Sequence, residues 1–475
     1  MPELLRTDIC VIGAGSGGLS VAAAAAAFGV PVVLIEKGLM GGDCLNTGCV
    51  PSKSLIAAGK RARAVTQSRP FGVSAAGAVV AFGDVYHHVH NVIEAIAPND
   101  SRERFGGLGV RVIEGVARFK NKRTVAVGEQ FEIRARRFVI ATGSSPALPP
   151  ISGLAETPHL TNETVFDLTE RPEHLVVIGA GPIGLELAQA FRRLGASVTV
   201  LEAAQPLARE DPECAAIVLD ELTREGVTLR AGVEALRVEG SHSRIKVVVR
   251  AGEAEEAIDG SHLLVATGRR VNTEGLGLEQ AGIAFDGHGI RVDKGLRTRN
   301  KRVYAIGDAA GGAQFTHAAN YHAGLVIRSA LFRLRVKVDD DLIPRVTFTD
   351  PELAHVGLTE AEARRRRIKV RVVRWPYHEN DRAQAERETA GHIKVVTDRR
   401  GRILGATIVG AAAGELITTW TLAISQRLNI RAIAGIVVPY PTLAEVGKRA
   451  AITYFTPSLT SPWVRRIIAV LRRLG

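Results

Sequence analysis

The chain has 475 residues, of which 46% are hydrophobic and 23% charged. That balance excludes disorder, collagen and small disulfide scaffolds, and at roughly 100–200 residues per domain it allows two to four domains. The net charge of +12 favours anionic partners, but aromatics make up 5% and no basic stretch is interleaved with them, so nucleic-acid binding is set aside.

From Ile9 to Ile35 there is no charged residue, a pattern that a hydropathy window would flag as a membrane span or signal peptide. Five glycines between Gly13 and Gly29 and a proline at position 31 break it into strand, glycine-rich turn, Ala-rich helix and strand. The segment therefore predicts a buried βαβ unit, with neither an export signal nor a transmembrane helix.

This unit recurs. The strand Asp8–Val11 runs into Gly13, Gly15 and Gly18, and the strand Leu175–Ile178 runs into Gly179, Gly181 and Gly184. Glu36 stands 18 residues beyond Gly18, and Glu202 stands 18 beyond Gly184. The first glycine permits the tight turn, the second lets the backbone approach a pyrophosphate, and the third lets the helix pack on its strand. An acid at the end of the next strand accepts hydrogen bonds from a ribose. Two such units in the same register predict two dinucleotide sites.

Ala-Thr-Gly occurs at 141–143 and at 266–268, each after a short apolar strand, and each is expected to close one nucleotide half against its sheet. Val303–Ile306 is another strand, ending in Gly307 and Asp308. From about Leu342 the pattern changes to a separate α+β domain, with strands at Arg371–Arg374, His392–Thr397 and Arg402–Val409 and a helix at Glu415–Leu428. The expected division is 1–148, 149–268, 269–341 and 342–475.

Four cysteines, Cys10, Cys44, Cys49 and Cys214, fit a reducing, cytoplasmic compartment. Cys44 and Cys49 lie in the run Gly41-Gly42-Asp43-Cys44-Leu45-Asn46-Thr47-Gly48-Cys49-Val50-Pro51-Ser52-Lys53. Pro51 marks a helix start, so Cys49 sits near a helix N-terminus, where a thiolate is favoured. A small-loop redox disulfide and a pair of buried structural thiols are both open on these residues. A structural zinc site lacks enough further ligands, and no metal site is expected.

The run CLNTGCVPSK, the two glycine motifs, the two Ala-Thr-Gly motifs and Val-Tyr-Ala-Ile-Gly-Asp together resemble the class I flavoprotein disulfide reductases. The resemblance covers nearly the whole chain. It implies an α/β fold with FAD- and NAD(P)-binding Rossmann-like domains, followed by a C-terminal α+β domain that forms a homodimer. It implies a redox-active Cys44–Cys49 disulfide, with Cys44 as the interchange thiol and Cys49 beside the flavin. Lys53 would lie near the flavin with Glu186 as its ion-pair partner, Glu36 would hold the FAD ribose, and Asp308 the ribitol. Gly42, Thr142, Gly143 and Gly268 join the cofactor-binding set by the same resemblance.

Glu202 suits the 2′-hydroxyl of NADH and repels a 2′-phosphate, and the nearest following arginine is Arg209, so NADH is expected rather than NADPH. Where dihydrolipoamide dehydrogenases and glutathione reductases carry His-Pro-Thr-x-x-Glu, this chain has Tyr440-Pro441-Thr442-Leu443-Ala444-Glu445. A phenol with a reference pKa near 10 is a poor base at neutral pH. His317, His322, His355 and His378 are the open substitutes. Tyrosine at this place resembles mercuric reductase, yet no cysteine follows Cys214. The expected activity passes electrons from NADH through FAD and the dithiol to a disulfide, metal-ion or quinone acceptor. Dihydrolipoyl dehydrogenase is one alternative, and a slow-turnover redox or binding module at a membrane surface is another. The latter rests on residues 463–475, where Trp463, Val464, Ile467, Ile468, Leu471 and Leu474 fall at helical spacing apart from Arg465, Arg466, Arg472 and Arg473. Peripheral contact with the inner membrane face follows from that stripe. Packing on the dimer or on a neighbouring domain is the other reading.

Overall fold

The computed structural model describes residues 2–459 and 461–474, so Gly475, the last residue of the expected tail, lies outside the described residues. It divides into two compact units, residues 1–203 with 230–340, and residues 204–229 with 341–475.

In the first unit, β1 (Glu3–Ile12) leads into α1 (Ser16–Ala27) and β2 (Val32–Glu36). After α2 (Gly42–Asn46) and α3 (Cys49–Thr66) come β3 (Val110–Glu114), β4 (Ala117–Asn121), β5 (Thr124–Val127) and β6 (Phe131–Ile140). They form one sheet in the order β3-β2-β1-β6-β5-β4, with the strand Val303–Ala305 pairing parallel to the end of β6. Most of the charge-free stretch from Ile9 to Ile35 is packed in this sheet and helix, and only the turn at Ala27–Gly29 and Pro31 is exposed. Val21, Ala22 and Ala25 of α1 pack in one core with Ala323, Val326 and Ile327 of the helix Thr316–Ala330. Small side chains allow that close approach, because a Cβ on Gly17 would already lie 3.1 Å from the Ala319 Cβ. The apolar run is thus explained by a protein core. No helix among the described residues is long and apolar enough to cross a membrane.

The second glycine motif repeats the design. His174–Ile178 pairs in parallel with Ser197–Glu202 on one side and His262–Val265 on the other. The helix Pro182–Arg193 follows its turn. A three-stranded antiparallel sheet, Val233–Ser241, Arg244–Ala251 and Ala254–Gly260, packs its apolar face against this one through Val247, Val249 and Leu263.

The second unit is built on a five-stranded sheet in the order Arg345–Thr347, Glu352–Gly357, Ile403–Gly410, His392–Asp398, Val370–Pro376. Ile393, Ile408, Ile417 and Trp420 sit in its core with the helices Ala413–Ser425 and Glu445–Thr453. The helix Pro212–Arg224, which the sequence division places in the nucleotide-binding half, belongs to this unit. Its anchor is ionic: the buried Lys394 Nζ lies 2.8 Å from Asp211 Oδ2 and 3.1 Å from both Glu213 Oε2 and Glu360 Oε2. Burial alone would lower the Lys394 pKa, but the three carboxylates outweigh it and hold it above its ordinary value. The basic run Arg364–Arg367 is exposed.

Lys394→Met leaves the buried Asp211 carboxylate without its cation, a change that typically destabilises by about 3–5 kcal/mol. The expected outcome is a lower urea midpoint at neutral pH, read through the buried Trp420. Glu213 is pulled down from 4.5 to about 2, chiefly by its hydrogen bonds from Arg374, with burial opposing and Lys394 assisting. Its folded pKa lies below the unfolded one, so its contribution is complete above 4.5 and is lost as the pH falls towards 2. The wild-type midpoint should fall across that window, and Glu213→Gln should flatten the fall.

Candidate active site

Both glycine turns are closed in the same way. Gly13 and Gly179 adopt φ of +103° and +108°, and a Cβ on either would collide with the carbonyl oxygen of Ala141 or Ala266 respectively. A Cβ on Gly18 or Gly184 would strike the carbonyl of Gly13 or Gly179. Each Ala-Thr-Gly strand end therefore caps its own nucleotide turn, as the sequence predicts. Over the middle glycines there is room: nothing lies within 4 Å of a Cβ on Gly181, and for Gly15 only the Gly42 Cα at 4.0 Å. No side chain caps either following helix. Uncapped helix N-termini behind an open glycine are suited to a pyrophosphate, and the residues present thus fit FAD at the first turn and a pyridine nucleotide at the second.

Glu36 ends β2 and accepts hydrogen bonds from the Ala14 and Gly38 amides. Glu202 accepts from the Ala180 amide at 2.9 Å. These bonds aim the two carboxylates across their turns. Asp308 is mostly buried and accepts from the Ser144 hydroxyl. Burial pushes its carboxyl above the usual range, while Ser144 and Arg269 pull the other way.

The two Ala-Thr-Gly loops also clasp each other, which the sequence did not show. Ser144–Pro146 pairs antiparallel with Arg269–Val271. The Thr142 hydroxyl donates to the Asn272 carbonyl at 2.8 Å, and the Thr267 hydroxyl to that of Ala147 at 2.9 Å. Thr142 thus serves the clasp. Gly143 and Gly268 hold its corners at φ of +67° and +139°.

The thiol loop is pinned to this frame. Gly42, at φ +60°, brings its backbone against Gly15, so that a Cβ on it would lie 2.7 Å from the Gly15 Cα. The Gly41 amide donates to the Ala14 carbonyl at 3.0 Å. Asp43 accepts from Thr47 and Asn162, each at 3.0 Å, and pairs with Arg269 at 3.3 Å. Arg269 also donates to the Ser144 hydroxyl and carbonyl. Neither Arg269 nor Asn162 was singled out from sequence; the place of Arg269 directly after Ala-Thr-Gly was the available signal.

Cys49 is the first residue of α3, as Pro51 predicts. Cys44 and Cys49 are free thiols here, Cys49 exposed and Cys44 half-buried. Cys49 is lowered to about 6, first by a hydrogen bond with Cys44; burial and Asp43 oppose, and Thr316 and Lys53 assist. Cys44 is raised, chiefly by its hydrogen bond with Cys49. Both shifts favour the negative charge on Cys49 over Cys44. The Thr316 hydroxyl, 3.3 Å from the Cys49 sulfur, belongs to the start of the helix Thr316–Ala330 and was missed in the sequence. One turn after Cys49, Lys53 pairs at 2.8 Å with Glu186, which is buried at 6% side-chain exposure.

In the second unit, the exposed Tyr440 donates its hydroxyl to Asp381 at 2.8 Å, and Glu445 lies 3.9 Å from Arg449. Of the four histidines open as bases, His322 and His355 are core residues, and burial lowers both, His355 to about 4. His317 and His378 are surface residues. Among the described residues no cluster suits a metal ion.

Residues 7–323 match the family model for pyridine nucleotide-disulphide oxidoreductases, and residues 343–451 match the dimerisation domain of the same family. The mercuric reductase of Lysinibacillus sphaericus is 36% identical over 94% of this chain and 82% of its own. The dihydrolipoyl dehydrogenase of Chlamydia trachomatis serovar D is 34% identical over 96% and 98%. Among solved structures, the Cu(II) complex of the HOCl-induced flavoprotein disulfide reductase RclA from Escherichia coli superposes with a TM-score of 0.83 at 28% identity, covering 93% of this chain and 99% of that one.

Iodoacetamide alkylation of the reduced protein should follow a titration with a midpoint near 6. Thr316→Val removes one donor to the thiolate, and the midpoint should move up.

Proposed function

The chain belongs to the pyridine nucleotide-disulphide oxidoreductases, FAD-dependent enzymes with NAD(P)H as electron donor that form homodimers, and from that premise we propose an NADH-dependent reductase acting through Cys44 and Cys49. The observation that carries the reading is the place of Cys49, which is the first residue of α3, has its sulfur 3.3 Å from the Thr316 hydroxyl and stands one turn before the Lys53–Glu186 pair. Bound FAD would pass an electron pair from the nicotinamide to the Cys44–Cys49 disulfide. The chain's residues do the rest. Glu36 and Asp308 would hold the sugar hydroxyls, Lys53 and Thr316 favour the thiolate on Cys49, and Cys44 retains the proton until it meets the acceptor. The carboxylate of Glu202 favours NADH over NADPH. The four-cysteine composition supports a cytoplasmic setting.

Tyr440 narrows the acceptor. Its hydroxyl is a donor to Asp381, and the bond raises its pKa further above 10. It offers no proton acceptor at neutral pH. An acceptor that needs thiolate ligands rather than a proton base suits the site, which favours a soft metal ion, with a small disulfide or quinone next. The relatives named mercuric reductase, and RclA in its Cu(II) complex, support this choice. Dihydrolipoamide oxidation is the second reading, favoured by the near-complete overlap with the dihydrolipoyl dehydrogenases.

Dihydrolipoamide:NAD⁺ turnover of the FAD-loaded protein decides between them. Loss of a positioned base is expected to leave it about 10²–10⁴-fold below a fast enzyme of about 10² s⁻¹, and Tyr440→His should raise it. Rapid turnover by the wild type would overturn the metal-ion reading. Cys49→Ser should abolish the long-wavelength absorption of a thiolate beside the flavin on NADH reduction. An unchanged spectrum would reassign the two sulfurs.

A further inference from the structure

The helix Pro462–Leu471 has no buried residue, although it carries Trp463, Val464, Ile467, Ile468, Val470 and Leu471. Trp463 is 70% exposed, Leu471 58% and Leu474 78%. At 3.6 residues per turn, Trp463, Val464, Ile467, Ile468, Val470, Leu471 and Leu474 fill an arc of roughly 160°. Arg465, Arg466, Arg472 and Arg473 occupy the opposite side, with Ala469 between them. Within the chain, Glu445 is the last acidic residue, and six basic residues follow it.

Charge selects the occupant of this face. A second copy of the helix would bring four more arginines and no carboxylate to meet them, so self-pairing is opposed. A bilayer with anionic headgroups supplies an apolar layer beneath the tryptophan–leucine arc and phosphates for the arginines that flank it. We propose that residues 461–474 form an interfacial anchor that lies in the plane of an anionic lipid surface. The arc enters the acyl boundary and the arginines stay among the headgroups. The anchor includes none of the cysteines, Lys53, Glu186 or Tyr440, so this proposal stands whichever acceptor the enzyme uses.

The full-length FAD-loaded protein is floated with vesicles of phosphatidylcholine alone or mixed equally with phosphatidylglycerol. The expected result is association with the anionic vesicles at least about tenfold above the neutral ones, lost in high salt. Trp463 emission should shift to the blue on binding. The double variant Ile467→Asp, Leu471→Asp should lose the association about tenfold or more while keeping its NADH-dependent activity and its dimer. The variant with Arg465, Arg466, Arg472 and Arg473 all changed to glutamine should lose the preference for anionic lipid. Equal flotation with both vesicles, or no flotation, overturns the proposal. So does dissociation of the dimer in the aspartate variant, which would make the arc a chain–chain interface.

Discussion

The contact between the backbones of Gly15 and Gly42 ties the thiol loop to the first nucleotide turn. A carbon added to Gly42 would lie 2.7 Å from the Gly15 Cα. The pyrophosphate turn and the start of the thiol loop are therefore one rigid piece, and α3 leaves it in a fixed direction. Everything the cysteines do depends on that. The place of the thiol loop against the first glycine turn is thus set by main chain rather than by adjustable side chains. Asp43, Asn162 and Arg269 brace the same loop from its other side.

The price of this bracing is an acidic group near the thiols. Asp43 opposes the ionisation of Cys49, and burial does so too. The site overcomes both with several weak donors: the partner thiol, the Thr316 hydroxyl and the Lys53 ammonium. The result is an asymmetric pair in which ionisation is favoured at Cys49 and opposed at Cys44. Glu186 completes the arrangement by holding Lys53, so the helix Pro182–Arg193 of the second nucleotide unit contributes to the electrostatics of the first.

Much of this was legible in the sequence because it is local. Glycine spacing, the distance from Gly18 to Glu36, and Pro51 two residues past Cys49 encode turns, strand ends and a helix start within one βαβ unit. The partners of the thiol loop were not legible. Asn162 and Thr316 lie more than a hundred residues from the cysteines they serve, and no periodicity marks them. The same holds for Tyr440: its divergence from histidine is plain in the sequence, but its hydrogen bond to Asp381 depends on how the α+β domain folds. The helix Pro212–Arg224 has the amphipathic pattern of a nucleotide-domain helix, and its ion pairs with Lys394 and Arg374 show which sheet it serves.

The helix Pro462–Leu471 has a further consequence once the chain is counted in pairs. A homodimer carries two of them, so the attachment proposed for this helix would be bivalent. After one helix lands, the other searches at an effective concentration of order millimolar wherever both reach the same surface. Two individually weak contacts then release only when both let go together. Occupancy of a membrane would rise steeply, rather than in proportion, as its anionic lipid fraction increases, and a heterodimer with one truncated tail would lose most of its residence time while keeping half of its arginines.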